Sequence, residues 1–511
     1  LNAGPAARRA LGRDALVASA LGALHSLPFV HTGAWWLQLA CVGWLAWRVQ
    51  AVTPARAAAL GWLFGAAWLG SGVWWLFVSM HRYGGLSAPL AALAVAALSA
   101  LLALYLALAM GLHARWRSGR PAADALLFAA LWLAAEIARG VLFTGFPWVA
   151  SGYAHVDGPL AVLAPWVGVY GIGFVAAWLA ALAAAAWRGR AAWPAAAAAV
   201  ALAALPFVAA RDFSRSTGAL SVTLVQTNVA QDEKFAAEHL PASLAWLLHA
   251  LAGARGELVV APETAVPLLP SQLEQLDPGY WPALRAAFAS PGRALLVGAP
   301  LGDFERGYTN SVVGLSGGGE YRYDKVHLVP FGEFVPPGFR WFIDLMHIPL
   351  GDFARGPLDA PSFAFAGQRI APNICYEDLF GEELARRFAD PAAAPTVFAN
   401  VSNIAWFGDT IAVPQHLHIS RLRALEFQRP MLRATNTGAT AVIDHRGRVT
   451  HRLEPFTRGV LDARVEGRDG LTPYARWASR LGLWPLAGLA AAVAAAFAAG
   501  VLRRPAPGAG S

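Results

Sequence analysis

The stretch Arg369-Ile-Ala-Pro-Asn-Ile-Cys375-Tyr-Glu-Asp378 decides how the second half of this chain is read. It opens as a β-rich run, reaches a cysteine, and passes directly into residues 379–389, whose apolar spacing is helical. A strand that turns into a helix at a thiol sets the sulfur near free amides and a dipole that favour thiolate. The chain has two cysteines, and the other, Cys41, lies in a long apolar run. Cys375 therefore has no plausible disulfide partner in its own chain, and a lone thiol in a polar turn is a candidate nucleophile. A buried core cysteine is the competing reading. The residue by itself does not separate the two.

Outward from this elbow, residues 211–478 alternate short β runs with helical segments. Leu220–Gln226, Glu257–Ala261, Ala294–Gly298, Ser311–Gly314, Thr396–Asn400 and Thr440–Asp444 read as further strands, and 241–255, 281–289 and 414–429 as helices. Asp444-His-Arg-Gly447 reads as a turn between two strands. The pattern predicts an α/β layered domain around a mostly apolar sheet.

Two more strand ends in this domain carry charge. Glu263 follows Leu258-Val-Val-Ala-Pro262, and Lys325 sits in Tyr321-Arg-Tyr-Asp-Lys-Val-His-Leu-Val-Pro-Phe-Gly-Glu333. Of 40 Lys and Arg residues, two are lysines, Lys234 and Lys325. Arginine fills the positions where any cation serves, so a surviving lysine hints at a need for a compact, titratable ammonium. A free thiol has a pKa of about 8.5, so efficient attack near neutrality needs a base and a cation. Glu263 suits the proton and Lys325 the oxyanion of a tetrahedral intermediate.

Residues 1–210 have a different character. The 511-residue chain is 57% hydrophobic and 14% charged, with 21 tryptophans. Apolar runs at 12–29, 33–49, 56–80, 87–113, 122–145, 162–187, 192–210 and 480–502 are of the order needed to cross a hydrocarbon core of about 30 Å. They predict an α-helical membrane bundle of about eight spans. Seven lie in 1–210, an extracytoplasmic catalytic domain fills 211–478, and 479–511 holds the eighth span and a cytoplasmic tail. No cleavable signal peptide is evident, since the first run leads into further spans.

Net charge of +8 does not indicate nucleic acid, because the arginines gather in alternate hairpins. Arg8, Arg9 and Arg13, then Arg48 and Arg56, Arg115, Arg117 and Arg120, Arg188 and Arg190, and finally Arg503 and Arg504 follow the positive-inside pattern. Gly168-Val-Tyr-Gly171-Ile-Gly173 has no strand before it, so it reads as helix packing and not as a dinucleotide fingerprint. Glu136 and Arg139 share a helix face within an apolar run, either as a structural ion pair or as a head-group site. His81, Arg82 and Tyr83 read as interface anchors. No cluster of metal-ligating residues and no cofactor motif stands out.

Pro262-Glu263-Thr264, Tyr323-Asp-Lys325 and Asn373-Ile-Cys375-Tyr-Glu377 resemble the Glu-Lys-Cys triad of the nitrilase (carbon–nitrogen hydrolase) superfamily. That resemblance implies an αββα sandwich with Glu263, Lys325 and Cys375 as its catalytic set. With spans on either side, the chain resembles the bacterial apolipoprotein N-acyltransferase family over nearly its whole length. Lys325–Pro336, Ser402-Asn-Ile-Ala-Trp-Phe-Gly408, Arg433-Ala-Thr-Asn-Thr-Gly438 and Gly145-Phe-Pro-Trp148 are particularly close to it. Phe235 departs, since the family often has tryptophan after the lysine matching Lys234. An aromatic ring is nonetheless retained.

The resemblance implies a ping-pong acyl transfer without cofactor or metal. Cys375 takes an acyl chain from a membrane phospholipid, typically phosphatidylethanolamine, and passes it to the α-amine of an apolipoprotein's diacylglyceryl-cysteine. It also implies the bacterial cytoplasmic (inner) membrane, with the catalytic domain on the periplasmic side. Glu333 is then a second carboxylate near the thiol, Tyr376 offers its amide as an oxyanion donor, and Glu377 and Asn310 are supports. Phe235, Trp406 and Phe407 are candidate substrate contacts, with core packing as the alternative for Trp406 and Phe407.

Phe331–Leu350 is a long apolar stretch that includes Trp341 and Phe342. It reads as an interfacial arm guiding acyl chains, with domain core as the alternative. Two rivals stand beside the acyltransferase. A membrane-anchored amidase acting on a small amide uses the same triad, and an inactive scaffold would only bind lipoproteins. The number of spans and the apolar arm favour a lipid substrate.

Overall fold

The computed structural model describes residues 5–189, 193–336, 338 and 352–502. The chain forms two compact units. One comprises residues 1–74, 92–211 and 483–511, and the other residues 75–91 and 212–482.

In the first unit the apolar runs fold as helices, namely Pro5–Leu24, Trp35–Val49, Pro54–Gly72, Ala88–Trp116, Pro121–Val141, Ala164–Gly189, Trp193–Ala209 and Trp484–Leu502. Eight spans do not follow from this. Among the described residues, Ala88–Trp116, Pro121–Thr144, Pro159–Trp187 and Trp484–Leu502 are long and apolar enough to cross a membrane. A fifth exists only if Pro54–Gly72 and Leu76–Tyr83, bent by 61° at their junction, count as one span. The shortfall has physical causes. Pro5–Leu24 carries Arg8, Arg9, Arg13 and Asp14, and the 15 residues of Trp35–Val49 rise only about 22 Å. The run expected as one span at 56–80 breaks after Gly72, and from Trp75 onward it belongs to the other unit.

The intramembrane charges have a structural task. Arg139 Nη1 donates to the carbonyls of Phe146 (2.7 Å) and Trp148 (2.8 Å), while Glu136 Oε1 accepts the Ser151 N–H at 2.7 Å and lies 3.6 Å from Arg139. The pair thus satisfies backbone groups of the loop that carries Gly145-Phe-Pro-Trp148, where unpaired groups are costly. Gly173 packs as expected of a helix-packing glycine, because a Cβ there would lie 2.6 Å from Glu136 Oε2. Gly168, with φ of 66°, breaks the helix it opens.

The second unit is built on two six-stranded sheets. The first holds β1 (Arg215–Gln226), β2 (Leu258–Val260), β3 (Ala294–Asp303), β4 (Gly307–Ser316), β5 (Gly319–Asp324) and β12 (Gly459–Asp469), in the order β12-β1-β2-β3-β4-β5. The second holds β6 (Phe363–Phe365), β7 (Gln368–Ile374), β8 (Val397–Ser402), β9 (Met431–Thr435), β10 (Ala441–Ile443) and β11 (Val449–Arg452), in the order β11-β10-β9-β8-β7-β6. Each sheet has three adjacent parallel strands, β1-β2-β3 and β7-β8-β9, flanked by antiparallel ones.

The alternation of side chains explains the layering. Leu258 and Val260 of β2 and Val397, Ala399 and Val401 of β8 meet in one core shared by both sheets. The intervening Val259 packs on helices Leu240–Ala252 and Tyr280–Ala287, and Phe398 on helices Ala412–Phe427 and Pro473–Leu481. Helix, sheet, sheet and helix follow in turn. Four strands, β6, β9, β11 and β12, were not individually expected from the sequence, although the turn at Asp444–Gly447 does join β10 to β11.

Candidate active site

Both ends of the site are sharp elbows. Chain leaving β2 reaches Pro262 and Glu263, and Thr264 then takes a left-handed φ of 51°. The tight approach to β3 needs Gly298, where a Cβ would lie 2.4 Å from the Pro262 carbonyl oxygen. Chain leaving β7 turns at Cys375, itself left-handed at φ 53°. A non-glycine residue holds that conformation only where its surroundings over-determine it.

Lys325 follows β5 and lies 1% exposed. Its ammonium donates to Glu263 Oε1 at 3.2 Å and to Glu333 Oε1 at 2.9 Å. The Asn310 amide from β4 donates to the same two oxygens at 2.7 and 2.8 Å. Remaining oxygens are fixed by backbone, Glu263 Oε2 by the Asn403 N–H (2.8 Å) and Glu333 Oε2 by the Val329 N–H (2.9 Å). Two carboxylates therefore share one ammonium and one amide in a buried cluster in which all four carboxylate oxygens are bonded.

The second lysine converges here too. Lys234 Nζ donates to the Glu263 backbone carbonyl at 3.1 Å. Burial drags its ammonium down to about 8 against the pull of Glu263. Both lysines of the chain thus address one glutamate, a convergence that lysine scarcity hinted at but sequence distance concealed. Asn403, Gln231 and Asn436 were also missed. The Asn403 amide reaches Gln231 at 2.9 Å, and Asn436 Nδ2 reaches Asn403 Oδ1 at 2.9 Å. Asn403 and Asn436 lie in the two family-like stretches after β8 and β9, and the fold brings them together behind Glu263.

Charge states follow from these contacts. Burial alone would raise the Glu263 carboxyl, but Lys325, the Asn310 amide and Lys234 hold it below its ordinary value. Burial would strip a proton from Lys325, yet Glu263 and Glu333 keep it firmly protonated. Cys375 differs from the sequence expectation. The segment after it, Cys375–Leu379, is a single 3-10 turn and not the start of a long helix. Burial pushes the thiol up, the Glu263 charge adds to that, Lys325 offsets part, and the result is about 12. Part of the residue stays accessible, but at rest it is a thiol and not a thiolate.

Of the proposed supports, Asn310 and Glu333 lie in the charged cluster. Glu377 lies beside it as a strut. Its carboxylate accepts the N–H groups of Val326 (2.6 Å), His327 (3.2 Å) and Ile374 (2.6 Å) and the Tyr323 hydroxyl (2.8 Å), tying the segment after Lys325 to β7. The Tyr376 ring packs beside the stacked His327 and Phe380 rings, at 5.6 and 5.2 Å from them. Phe235 is 43% exposed. Trp406 meets the Tyr83 ring edge-on at 5.8 Å and Phe407 lies 4.3 Å from Trp75, so residues 75–91 supply aromatic partners to this unit. Tyr83 is therefore more than an interface anchor. Trp341 and Phe342, and with them most of the expected arm, lie outside the described residues.

Comparison with known proteins bears on both units. A family model described as the apolipoprotein N-acyltransferase N-terminal domain matches residues 21–182, and one described as carbon-nitrogen hydrolase matches residues 221–471. The chain is 56% identical over 500 residues to an apolipoprotein N-acyltransferase of Verminephrobacter eiseniae, which covers 92% of each. It is 47% identical over 473 residues to one from Ralstonia nicotianae, covering 90% of this chain and 89% of that one. Among solved structures, the C. elegans NitFhit protein aligns with a TM-score of 0.38 and 18% identity, covering 49% of this chain and 62% of that chain. That structural likeness is too slight to argue from.

Proposed function

The chain belongs to the apolipoprotein N-acyltransferase family, and on that premise we propose that it acylates lipoproteins through a thioester on Cys375. The observation that carries the reading is the Lys325 ammonium, held by Glu263 and Glu333 at 3.2 and 2.9 Å, at the turn where β7 delivers the thiol. Cys375 Sγ attacks the carbonyl carbon of a phospholipid ester, with phosphatidylethanolamine the donor we favour. As the C–S bond forms, the thiol proton passes to Glu263, and Lys325 balances the charge on the carbonyl oxygen. Collapse breaks the C–O bond, and Glu263 returns the proton to the leaving alkoxide, which departs as lysophospholipid.

In the second half the uncharged α-amine of a diacylglyceryl-cysteine attacks the thioester. Its excess proton goes to Glu263 and then to the departing sulfur. The high proton affinity of the resting thiol means that base and attack act together, which limits idle reaction of the sulfur with other electrophiles. Glu333 keeps Lys325 charged and placed throughout. Phe235, Trp406 and Phe407, together with Trp341 and Phe342, are the side chains we assign to the acyl chain. We place the protein in the bacterial cytoplasmic membrane as a multi-pass protein, with residues 212–482 on the outer side, a reading supported by the gathering of arginines in alternate hairpins.

The decisive experiment incubates purified protein with phosphatidylethanolamine vesicles and measures the mass of the Cys375 peptide. An acyl increment that disappears when a diacylglyceryl-cysteinyl peptide is added, with N-acyl peptide formed, is the expected result. No increment, together with turnover of a small amide, would overturn the reading in favour of an amidase.

A further inference from the structure

At the backbone carbonyl of the nucleophile lies a second buried polar cluster that the reaction scheme does not use. Asp378, His416, Ser420, Arg433 and Asn400 are each wholly buried. His416, on helix Ala412–Phe427, places Nε2 2.9 Å from Asp378 Oδ1 and 3.2 Å from the backbone carbonyl oxygen of Cys375. Arg433 Nη2 lies 2.8 Å from His416 Nδ1. A guanidinium has hydrogens to donate and no lone pair to offer, so Nδ1 must be the acceptor. The imidazole proton therefore sits on Nε2, shared between Asp378 and Cys375. Arg433 Nη1 also reaches Ser420 Oγ at 2.6 Å and Asn400 Oδ1 at 3.3 Å, and the Ser420 hydroxyl donates to Asp378 Oδ2.

The cluster looks at first like a hydroxyl–imidazole–carboxylate triad, but its order is wrong for one. The serine hydroxyl is bonded to the aspartate, and the histidine face that would serve it points at an arginine.

We infer that His416 is a positioning residue for the acyl transfer: it grips the Cys375 carbonyl and thereby holds the nucleophile in its left-handed turn. The carbonyl has a second grip, the Asn400 amide at 3.3 Å, itself fixed by Asn373 Oδ1 at 2.6 Å. With two donors on one oxygen, the Cys375–Tyr376 peptide plane cannot rotate without breaking both bonds. The peptide is planar, so the same grip fixes the direction of the Tyr376 N–H, antiparallel to the carbonyl, as well as the φ of 53° that aims the thiol.

The groups facing the imidazole are Asp378 from the turn after β7, the Cys375 carbonyl and Arg433 from β9, while Ser420, one turn along its own helix, bonds the His416 backbone carbonyl. A proton added at Nδ1 would face the guanidinium directly, so the ring stays neutral and the grip is independent of pH across the working range. Burial and Arg433 both press in that direction, opposed by Asp378.

The inference rests on Cys375 being the acylated residue, and two side-chain isosteres test it in the full-length protein. Glutamine at this position puts an amide donor where Nε2 was, and asparagine puts its amide at the place of Nδ1. We expect His416→Gln to keep the rate of thioester formation within about fivefold of the parent. His416→Asn should lose roughly a hundredfold, as displaced reacting groups do, with unchanged KM for phosphatidylethanolamine vesicles and a matching unfolding temperature. The pH profile of His416→Gln should overlie that of the parent.

Equal rates for the two variants, or losses that simply follow their unfolding temperatures, would overturn the inference. If neither variant folds, Asn400→Asp keeps the acceptor for Arg433 while removing the other donor to Cys375. It should lower the rate with KM unchanged, and an undiminished rate would overturn the inference equally. A parent enzyme that forms no acyl adduct would instead sink the proposed function, a separate outcome.

Discussion

Two of the buried charge clusters in this molecule differ in what the charge touches. In the helical unit, Glu136 and Arg139 direct their hydrogen bonds at backbone groups of one loop. In the layered unit, Glu263 from the turn after β2 and Glu333 from the segment after β5 both bind the Lys325 ammonium beside a thiol. Both would draw attention in sequence as ionisable residues in apolar surroundings. The difference teaches that burial identifies a charge that matters, whereas its partners identify what it matters for: a loop held in shape, or the reaction centre we propose.

The sharpest way to break that distinction is to remove the shared cation. Lys325→Met leaves two carboxylates facing each other without a counter-charge. It should cost about 3–5 kcal/mol of stability and lower thioester formation on the order of a thousandfold, read by single-turnover acylation beside thermal unfolding. Glu263→Gln keeps the shape and removes the proposed base. It should slow acylation about 10²–10⁴-fold while unfolding temperature moves little. Arg139→Met should do the reverse. About 3 kcal/mol of stability is lost as Glu136 and two carbonyls are stranded, yet the rate per titrated active site is retained. A large loss of kcat in that variant would erase the contrast between the two clusters.

Acidity sharpens the comparison further. The folded-state pKa of Glu263 lies below its unfolded value. Its contribution to stability is therefore complete above the ordinary carboxylate range and is lost as pH falls through the depressed value. Activity per folded molecule should accordingly persist to the lower edge of that range, and a pH–rate profile checks it. At the other limit, alkylation of Cys375 by iodoacetamide without substrate should still be rising above about pH 9, since burial holds its proton. The smallest expected effect is at the exposed pair Arg82–Asp232, 3.8 Å apart. There Arg82→Ala should change stability by no more than about 0.5 kcal/mol.

The strands at the centre of the layered unit were legible because their apolar residues are nearly unbroken, as in Leu258-Val-Val or Val397-Phe-Ala. β9 escaped because Arg433 sits in its middle, a charge that reads as surface yet is buried by partners more than ten residues away. β12 escaped because it is an edge strand of alternating exposed residues, Val-Leu-Asp-Ala-Arg-Val-Glu. Within the site, Glu263, Lys325 and Cys375 stood out by residue type at strand ends. The Asn403 amide and the Glu263 carbonyl that binds Lys234 are backbone groups, and backbone has no letter in a sequence. The count of spans failed differently, since hydropathy records that a segment is apolar but not where a helix bends.

Trp75 belongs by its contacts to the layered unit, with its indole N–H on Gln415 at 3.0 Å, 340 residues further along the chain. At typical rates of synthesis that partner leaves the ribosome roughly 20 s to a minute later. Residues 75–91 must therefore wait, unfinished, through most of translation. Any attempt to graft residues 212–482 onto another anchor would leave this early-made piece behind.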